Sequence, residues 1–464
     1  MEMTKMESGR HEEEHTRTGT LWSGTAHAIT ATIGSGILAL PWSVAQLGWI
    51  VGPISLACFA VITYYTAILL CDCYRSPDPV TGTRNPTYMH AVRAFLGERS
   101  VFLCGVIQYS ILWGTMIGYT ITTAISIAGM RRSICHHQMG PDGHCDVNGN
   151  AYMLAFGAVQ LILSQCPNLE KVTLLSIIAA VTSIGYSTVS LCLSIIKFST
   201  DPKFGGSLAV GDTGKAAPSS TKVWNGFQAL GNIAFAFTYA MLLLEIQDTL
   251  KPTPAENKVM KKVTLYSVSI TATFYICLGC MGYLAFGGEA PGNILAGIYQ
   301  PYWLVSIGHL CVIIHLIGAY PVFAQPIFAV NENWLASRWP KSGFFNSVHS
   351  LKLPCSTNCR FQFTLCKLLI RPAFVIVTTA LAMMFPFFNA ILGLLGAISF
   401  WPLTVYFPVS MYIVQANIKK GSGLWIFLQT LSGVCLVVTL IAGIGSIADM
   451  SEELRHAKLM HIAL

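Results

Sequence analysis

The chain alternates between long apolar runs and short polar segments from residue 21 almost to its end. An apolar run of about 20 residues can cross a hydrocarbon core about 30 Å thick as an α-helix. The pattern predicts an all-α membrane protein with about eleven spans, of which the fourth is short. Their approximate limits are 21–44, 47–73, 101–129, 151–166, 172–196, 223–246, 263–286, 302–329, 367–386, 388–414 and 424–448.

Lysine and arginine are unevenly shared between the two sets of loops. With the N-terminus in the cytoplasm, 20 of the 28 lie on the cytoplasmic side. Basic residues are enriched in cytoplasmic loops, so the sequence predicts a cytoplasmic N-terminus. An odd number of spans then places the C-terminus outside the cell.

The composition supports a membrane location and argues against several other classes of protein. Hydrophobic residues make up 53% of the 464 positions and charged residues only 11%, whereas soluble domains are about 25% charged. The net charge of +7 comes from residues scattered between apolar runs, so no continuous basic face is expected to bind nucleic acid. No catalytic triad pattern, phosphate loop or carboxylate pair indicates an enzyme.

The first span contains two glycines at mid-depth, where a helix in lipid is expected to be continuous. Gly34 and Gly36 flank Ser35, and glycine weakens a helix. If the chain unwinds here, the second half-helix begins with free amide groups from about Ser35 to Leu38. Free amides at the positive end of a helix dipole bind anions, and a carboxylate suits such a site. The glycines are equally consistent with close packing against another helix.

The order of the spans predicts an inverted repeat. Five spans from 21 to 196 are followed by five from 223 to 414, and one remains. Carriers with inverted repeats bind substrate between discontinuous helices at corresponding positions of the two halves. We expect a cytoplasmic tail over 1–19, a first five-helix repeat over 20–198, an extracellular loop over 199–222, a second five-helix repeat over 223–414, an eleventh helix over 415–450 and a C-terminal tail over 451–464.

Two cysteines flank a polar loop on the expected outer side. Cys135 and Cys145 are a candidate disulfide there, because disulfides persist in extracellular environments. His136, His137 and His144 lie beside them. Their spacing fits no common zinc pattern, so no metal site is predicted.

Six strings distributed along the chain carry a family pattern. They read IGSGILALPWSVAQLGWIVGP, ITYYTAILLCDCYRSPDPVTGTRNPTYM, GYTIT, LEIQDTLKPTPAENKVMKK, HLIGAY and FPFFNAILGLLGAISFWPLTVYFP. Together they closely resemble the plant amino acid permeases, in the amino acid/auxin permease branch of the amino acid–polyamine–organocation superfamily. The resemblance runs from about residue 18 to 448. It implies a leucine-transporter-like fold of five plus five helices with one extra helix. It also implies a proton-coupled importer of the plasma membrane that uses no cofactor.

The resemblance also implies a substrate site between the two discontinuous helices. It places the substrate carboxylate on the break in the first span and the ammonium against carbonyls near Ala31 and Phe235. The sixth and third spans would supply the side chains that discriminate between substrates. The implied substrate-binding residues are Ala31, Ile33, Gly34, Ser35, Gly36, Ile37, Tyr109, Trp113, Phe235, Phe237 and Thr238.

The chain departs from the family pattern at three positions. Asn232 stands where many members carry aspartate, Ile111 where asparagine is frequent, and Pro321 where glutamine is usual. The missing negative charge at Asn232 makes this residue a candidate determinant of cation preference or pH response. Substrate selectivity therefore cannot be copied from relatives.

Ionisable side chains inside spans are rare and usually functional. His27 lies seven residues before Gly34, about 10 Å along a helix, and histidine changes charge near neutral pH. It is the candidate proton carrier, and the alternative is a neutral histidine bonded between helices. Glu245 is a candidate inner-gate partner for a cytoplasmic Lys or Arg, and the alternative is a solvated side chain. Packing roles are expected for His309 and His315, which project from different sides of their helix.

The predicted function is import of neutral amino acids, with a wider range left open, by alternating access and proton symport. A receptor-like amino acid sensor of the same fold would use the same pocket. A sodium-coupled carrier is also open from the residues alone. The expected partners are a small amino acid and the lipid bilayer, and the sequence indicates no oligomeric state.

Overall fold

The computed structural model describes residues 17–140, 145, 147–165, 173–200, 206–208, 219–347, 349–352 and 360–456. Within these ranges the chain is largely helical, with two short pairs of antiparallel strands. The helices are α1 (Leu21–Thr32), α2 (Leu40–Asp72), α3 (Tyr88–Leu96), α4 (Glu98–Met139), α5 (Gly149–Ser164), α6 (Thr173–Thr200), α7 (Ser219–Ala236), α8 (Ala240–Asp248), α9 (Glu256–Phe286), α10 (Tyr302–Arg338), α11 (Gly343–Asn346), α12 (Leu365–Met384), α13 (Phe388–Ser399), α14 (Phe407–Gln415) and α15 (Gly423–His456). Strands β1 (Arg75–Ser76) and β2 (Thr83–Arg84) form one pair, and β3 (His349–Lys352) and β4 (Arg360–Phe363) form the other.

The described helices account for the eleven predicted spans. Nine helical segments are long and apolar enough to cross a membrane, and α5 is a shorter apolar helix. One of the nine, Ser35–Asp72, holds the end of the first span and all of the second. The two meet at Gly48, where φ is 77° and ψ is 175°. Glycine adopts positive φ without the steric cost that a side chain would add, so the chain can reverse direction there.

Several ends of helices differ from the predicted limits. Helix α15 continues to His456, so the first residues of the predicted C-terminal tail are its last turn. Helix α4 has 42 residues and a length of about 63 Å, so it extends well beyond the hydrocarbon core. Residues 1–16, most of the predicted loop 199–222, and residues 457–464 lie outside the described part of the chain.

The sixth span, formed by α7 and α8, packs at the centre of the helices. Helix α7 contacts α2, α13 and α15, and it also contacts the 3₁₀ turn Ser35–Ala39 of the first span. Glycines bring α7 and α13 together: a Cβ atom added to Gly396 would collide with the carbonyl oxygen of Gly231. One added to Gly231 would lie 2.5 Å from the carbonyl oxygen of Gly393. Small residues allow this close approach of helices in membranes.

Candidate functional site

The first span is broken where the sequence predicted. Helix α1 ends at Thr32, and Ile33 and Gly34 are extended, with φ and ψ of −78° and 90° and of −116° and −164°. A 3₁₀ turn over Ser35–Ala39 then leads into α2. The glycines therefore lie at the end of a helix. Close packing against another helix, the alternative interpretation, would not by itself have ended the helix.

The break leaves backbone amide groups without partners. The amides of Ser35 and Gly36 donate to no acceptor among the described residues, whereas the amide of Ile37 donates to the Gly34 carbonyl at 3.3 Å. A Cβ atom added to Gly34 would meet no atom within 4 Å, so open space adjoins these amides. Free amides at the N-terminal end of a helical segment bind anions. The break therefore offers two free hydrogen-bond donors to an anion such as a carboxylate.

The sixth span is broken as well, although its sequence has no glycine pair at that point. Helix α7 ends at Ala236 and α8 begins at Ala240. The hydroxyl of Thr238 donates to the Ala234 carbonyl at 2.8 Å and lies 3.3 Å from the hydroxyl of Ser399. Ser399 ends α13, and the chain continues as a π-helical segment over Phe400–Tyr406. Such segments are frequent at functional sites.

The two breaks lie against each other. A Cβ atom added to Gly36 would be 3.0 Å from the ring of Phe235 and 3.5 Å from the Cα atom of Ala236. Tyr275 on α9 joins them from the side, because its hydroxyl lies 2.7 Å from the Thr32 carbonyl oxygen and 3.2 Å from that of Ala236. Both carbonyls belong to the last turns of half-helices. In the sequence, Tyr275 looks like an ordinary aromatic residue of an apolar span and gives no sign of this position.

The predicted residues around the breaks differ in exposure. Phe235 and Thr238 are partly exposed, as is Ala31. Phe237 is fully buried, and its ring centroid lies 5.2 Å from that of Tyr275. Phe237 therefore packs behind the break, whereas Phe235 and Thr238 keep partial exposure. The remaining members of the predicted set on the first span, Ile33, Ser35 and Ile37, are buried.

Tyr109 and Trp113 on α4 lie in a different place. Both line a cavity of about 910 Å³ whose other walls come from α3, α12, α13 and α15. The Trp113 ring packs edge-on against Phe374 of α12, with centroids 4.5 Å apart. The structure thus does not bring these two side chains to the paired breaks.

The candidate coupling and gating residues are also dispersed. His27 is exposed on α1, and its side chain makes no hydrogen bond to the described residues. Asn232 is fully buried on α7, and neither amide atom has a hydrogen-bond partner there. Buried polar groups are normally paired, so the Asn232 amide differs from most buried side chains in having no partner among the described residues.

Both histidines of α10 are buried, as the packing prediction requires. A Cβ atom added to Gly129 would collide with the ring of His309, which places that ring tightly against α4. The Nδ1 atom of His315 lies 2.9 Å from the Ala179 carbonyl oxygen. These contacts join α10 to its neighbours rather than to the breaks.

The inner-gate ion pair proposed for Glu245 is not seen among the described residues. Glu245 is exposed and has no ion pair among them. Ion pairs form instead in a charged cluster nearby, which we call the N-terminal clasp. Its members are Arg17, Tyr74, Arg75, Asp248 and Glu256. It was missed because its members come from four separate segments and only one of them lies close to Glu245 in the sequence.

The N-terminal clasp ties the start of the chain to α8 and α9. Arg17 and Arg75 both bind the Glu256 carboxylate, at 2.5 and 2.8 Å. Arg17 also donates to the Asp248 carbonyl at 3.0 Å, and the Tyr74 hydroxyl donates to the Asp248 carboxylate at 2.6 Å. The hydrogen bond to Glu256 raises the pKa of Arg75, and burial raises the pKa of Tyr74. Near neutral pH Arg75 is therefore positively charged and Tyr74 keeps its proton.

Backbone pairing extends the clasp. The amide of Gly19 donates to the Thr249 carbonyl at 2.9 Å, and the amide of Lys251 donates to the Gly19 carbonyl at 3.0 Å. This short parallel bridge holds the residues before α1 against the end of α8. Helix α1, which precedes the first break, and helix α8, which follows the second, are therefore held together.

Near the C-terminal end of α4, Cys135 and Cys145 form a disulfide, which confirms the predicted pairing. The rings of His136 and His137 stack on Tyr299 and Tyr302, with centroids 5.5 and 3.9 Å apart. His144 lies outside the described residues. Among the described side chains, no group of three His, Cys, Asp or Glu residues could hold a metal ion.

Comparison with known proteins supports the predicted resemblance. Residues 17–452 match the family described as "Transmembrane amino acid transporter protein". The chain is similar to amino acid permease 8 of Arabidopsis thaliana, with 51% identity over 445 residues that cover 95% of this chain and 93% of that protein. It is 49% identical to amino acid permease 1 of the same plant over 444 residues, which cover 95% of this chain and 91% of that one.

Two solved transporters share the fold. The crystal structure of MhsT in complex with L-phenylalanine gives a TM-score of 0.53 at 9% identity and covers 91% of this chain and 98% of that one. Mhp1, a nucleobase-cation-symport-1 family transporter, gives 0.53 at 12% identity and covers 96% and 95%. The predicted leucine-transporter-like arrangement is thus confirmed. The chain belongs to the transmembrane amino acid transporter family.

Proposed function

We propose that this protein imports amino acids across the plasma membrane by alternating access, driven by protons, and that neutral amino acids are its main substrates. The observation that carries the proposal is the pair of breaks in contact with each other. The free amides of Ser35 and Gly36 lie next to the open space at Gly34 and supply a seat for the carboxylate. The C-terminal ends of α1 and α7 supply carbonyl oxygens that bind the ammonium.

The site is suited to a zwitterion without a charged side chain. Residues 28–41 and 223–244, which contain both breaks, include no Asp, Glu, Lys or Arg. A carboxylate and an ammonium would be bound by backbone groups, as in carriers with discontinuous helices. A strongly charged substrate side chain would meet no counter-charge there, which favours neutral amino acids.

The proposed orientation has the N-terminus in the cytoplasm. The distribution of Lys and Arg supports it. The disulfide at Cys135 and Cys145 supports it too, because disulfides form on the non-cytoplasmic side and α4 begins on the side of the N-terminal clasp. The clasp then closes the cytoplasmic end of the pathway.

The driving force is adequate for accumulation. One charge crossing a potential of about 100 mV contributes roughly 2.3 kcal/mol. At about 1.36 kcal/mol per decade, this supports roughly fifty-fold accumulation of a neutral zwitterion carried with one proton. A pH difference of about one unit adds a further tenfold.

Reconstituted transport tests the proposal. Purified protein in liposomes should accumulate labelled neutral amino acids when the outside is acidic, and accumulation should stop when a proton ionophore collapses the gradient. Currents evoked by the twenty amino acids at two pH values would define the range of substrates. Binding without accumulation would instead identify a sensor, and accumulation driven by sodium alone would contradict proton coupling.

Replacing His27 with alanine is expected to flatten the pH dependence of uptake. Histidine changes charge near neutral pH, and His27 precedes the first break on α1. Initial uptake rates at saturating substrate should be measured at several pH values. Thr30→Ala, a change of a nearby polar side chain that does not titrate, should keep the wild-type profile. An unchanged profile in the His27 variant would remove this residue from the proton path.

A further inference from the structure

Tyr275 lies between the two broken helices and has no role in the binding of substrate proposed above. Its side chain is fully buried, and its hydroxyl lies 2.7 Å from the Thr32 carbonyl oxygen and 3.2 Å from the Ala236 carbonyl oxygen. The ring is fixed by its edge-on contact with Phe237. The hydroxyl is thus held between two backbone oxygens from segments 204 residues apart.

These two carbonyls are the kind that bind cations. Thr32 is the last residue of α1 and Ala236 the last of α7, so both oxygens lie at the negative ends of half-helix dipoles. In carriers with discontinuous helices, carbonyls at such ends coordinate the coupling cation. Two convergent carbonyls would be the start of a sodium site if nothing else lay between them.

The hydroxyl changes the chemistry of this position in two ways. A phenol carries one hydrogen, so it satisfies one carbonyl well, and the shorter distance shows that this carbonyl is that of Thr32. Its bulk also takes the space in which a cation would be coordinated. Neither break contains an acidic side chain to balance a metal cation, and burying an unbalanced charge is costly.

We propose, resting on the amino acid transport proposed above, that Tyr275 determines the cation specificity of this carrier. Its hydroxyl fills with a neutral donor the seat that the Thr32 and Ala236 carbonyls would offer to sodium. It also holds the two half-helix ends at a fixed spacing and so positions the substrate site. Transport by the wild-type protein therefore needs no sodium.

Two substitutions at Tyr275 separate these effects. Tyr275→Phe keeps the ring against Phe237 and removes only the hydroxyl, so the seat stays blocked. It should raise the KM for a neutral amino acid about fivefold or more, equally in sodium and in choline chloride. Tyr275→Asn vacates the space and adds a carbonyl oxygen. It should make uptake sodium-dependent, with a KM at least fivefold lower in sodium than in choline at the same pH and potential.

Tyr283→Phe is the matched control. Tyr283 is a buried tyrosine of the same helix whose hydroxyl contacts Ser207 rather than the breaks. This variant should keep the wild-type KM and its independence of sodium. The shift in cation dependence is a readout that general loss of packing would not produce.

Binding of ²²Na⁺ to purified protein makes the result independent of transport. We expect binding to Tyr275→Asn and none to the wild type or to Tyr275→Phe. Sodium-dependent uptake or ²²Na⁺ binding by the wild type would overturn the inference, as would a Tyr275→Phe variant with unchanged KM. So would a Tyr275→Asn variant that gains no sodium effect in either assay. One result separates the two proposals: the wild type transports no amino acid, and Tyr275→Asn is the one protein of the three that binds ²²Na⁺. In that case the proposed function fails and the assignment of Tyr275 stands.

Discussion

Replacing Gly36 with valine is expected to abolish amino acid uptake while leaving the chain inserted in the membrane. Even a single added Cβ atom would lie 3.0 Å from the Phe235 ring, and valine adds two methyl groups beyond it. Overpacking of this kind costs about 1–3 kcal/mol, which corresponds to a loss of roughly 5-fold to 140-fold at about 1.4 kcal/mol per decade. The branched side chain would also obstruct the free amides that the substrate carboxylate is proposed to use.

The measurement compares initial uptake with the amount of protein in the membrane. Gly433→Val is the matched control, because Gly433 is exposed on α15 and a Cβ atom there would meet nothing within 4 Å. It should transport at the wild-type rate. Normal uptake by Gly36→Val would refute the proposed carboxylate seat, whereas loss of both variants from the membrane would point to an insertion defect.

Replacing Glu256 with glutamine is expected to open the N-terminal clasp. The side chain of Glu256 is only 3% exposed and binds two arginines, Arg17 and Arg75. Charged hydrogen bonds contribute about 1.5–3 kcal/mol each, but the arginines keep some contact with water. We therefore expect a shift of about 2 kcal/mol, or roughly thirty-fold at about 1.4 kcal/mol per decade, toward the state open on this side.

Amide hydrogen exchange reports this opening directly. The amides of Gly19 and Lys251 are bonded across the backbone bridge, and their exchange should accelerate about thirty-fold if opening limits it, in line with the shift given above. The maximal uptake rate should fall, because the carrier would spend less time open to the outside. Glu98→Gln is the control, since it breaks an exposed pair with Arg93 whose side chains are 53% and 76% exposed. Exchange at Gly19 unchanged by Glu256→Gln would contradict the role of the clasp.

The two halves of the site differ in how far sequence could predict them. Gly34 and Gly36 made the first break a candidate, although close helix packing explained the glycines equally well from the sequence. The second break lacks such a signal. Its ends are held by Thr238 and by the contact with α13, and these depend on partners distant in the chain. The inverted repeat, not the local residues, indicated where it would be.

Side-chain direction explains the predictions about the third span. Tyr109 and Trp113 are four residues apart, so they project from one face of α4. The sequence shows that they share a face but not which neighbour that face meets. The structure places it against α12 and α13, where the two residues line the 910 Å³ cavity. The sequence of an apolar helix does not show which neighbouring helix its aromatic residues contact.

The sequence alone determined the membrane class, the count of spans and the family, and it marked Gly34 and Gly36 as a candidate break. These follow from runs of apolar residues, from the backbone needs of helices in lipid and from motif strings, all of which are local. Only the tertiary structure decided that Tyr275 joins the two breaks and that Glu256, rather than Glu245, binds the arginines. Such contacts join residues up to 243 positions apart, and they depend on how helices rotate and pack, which no local pattern encodes.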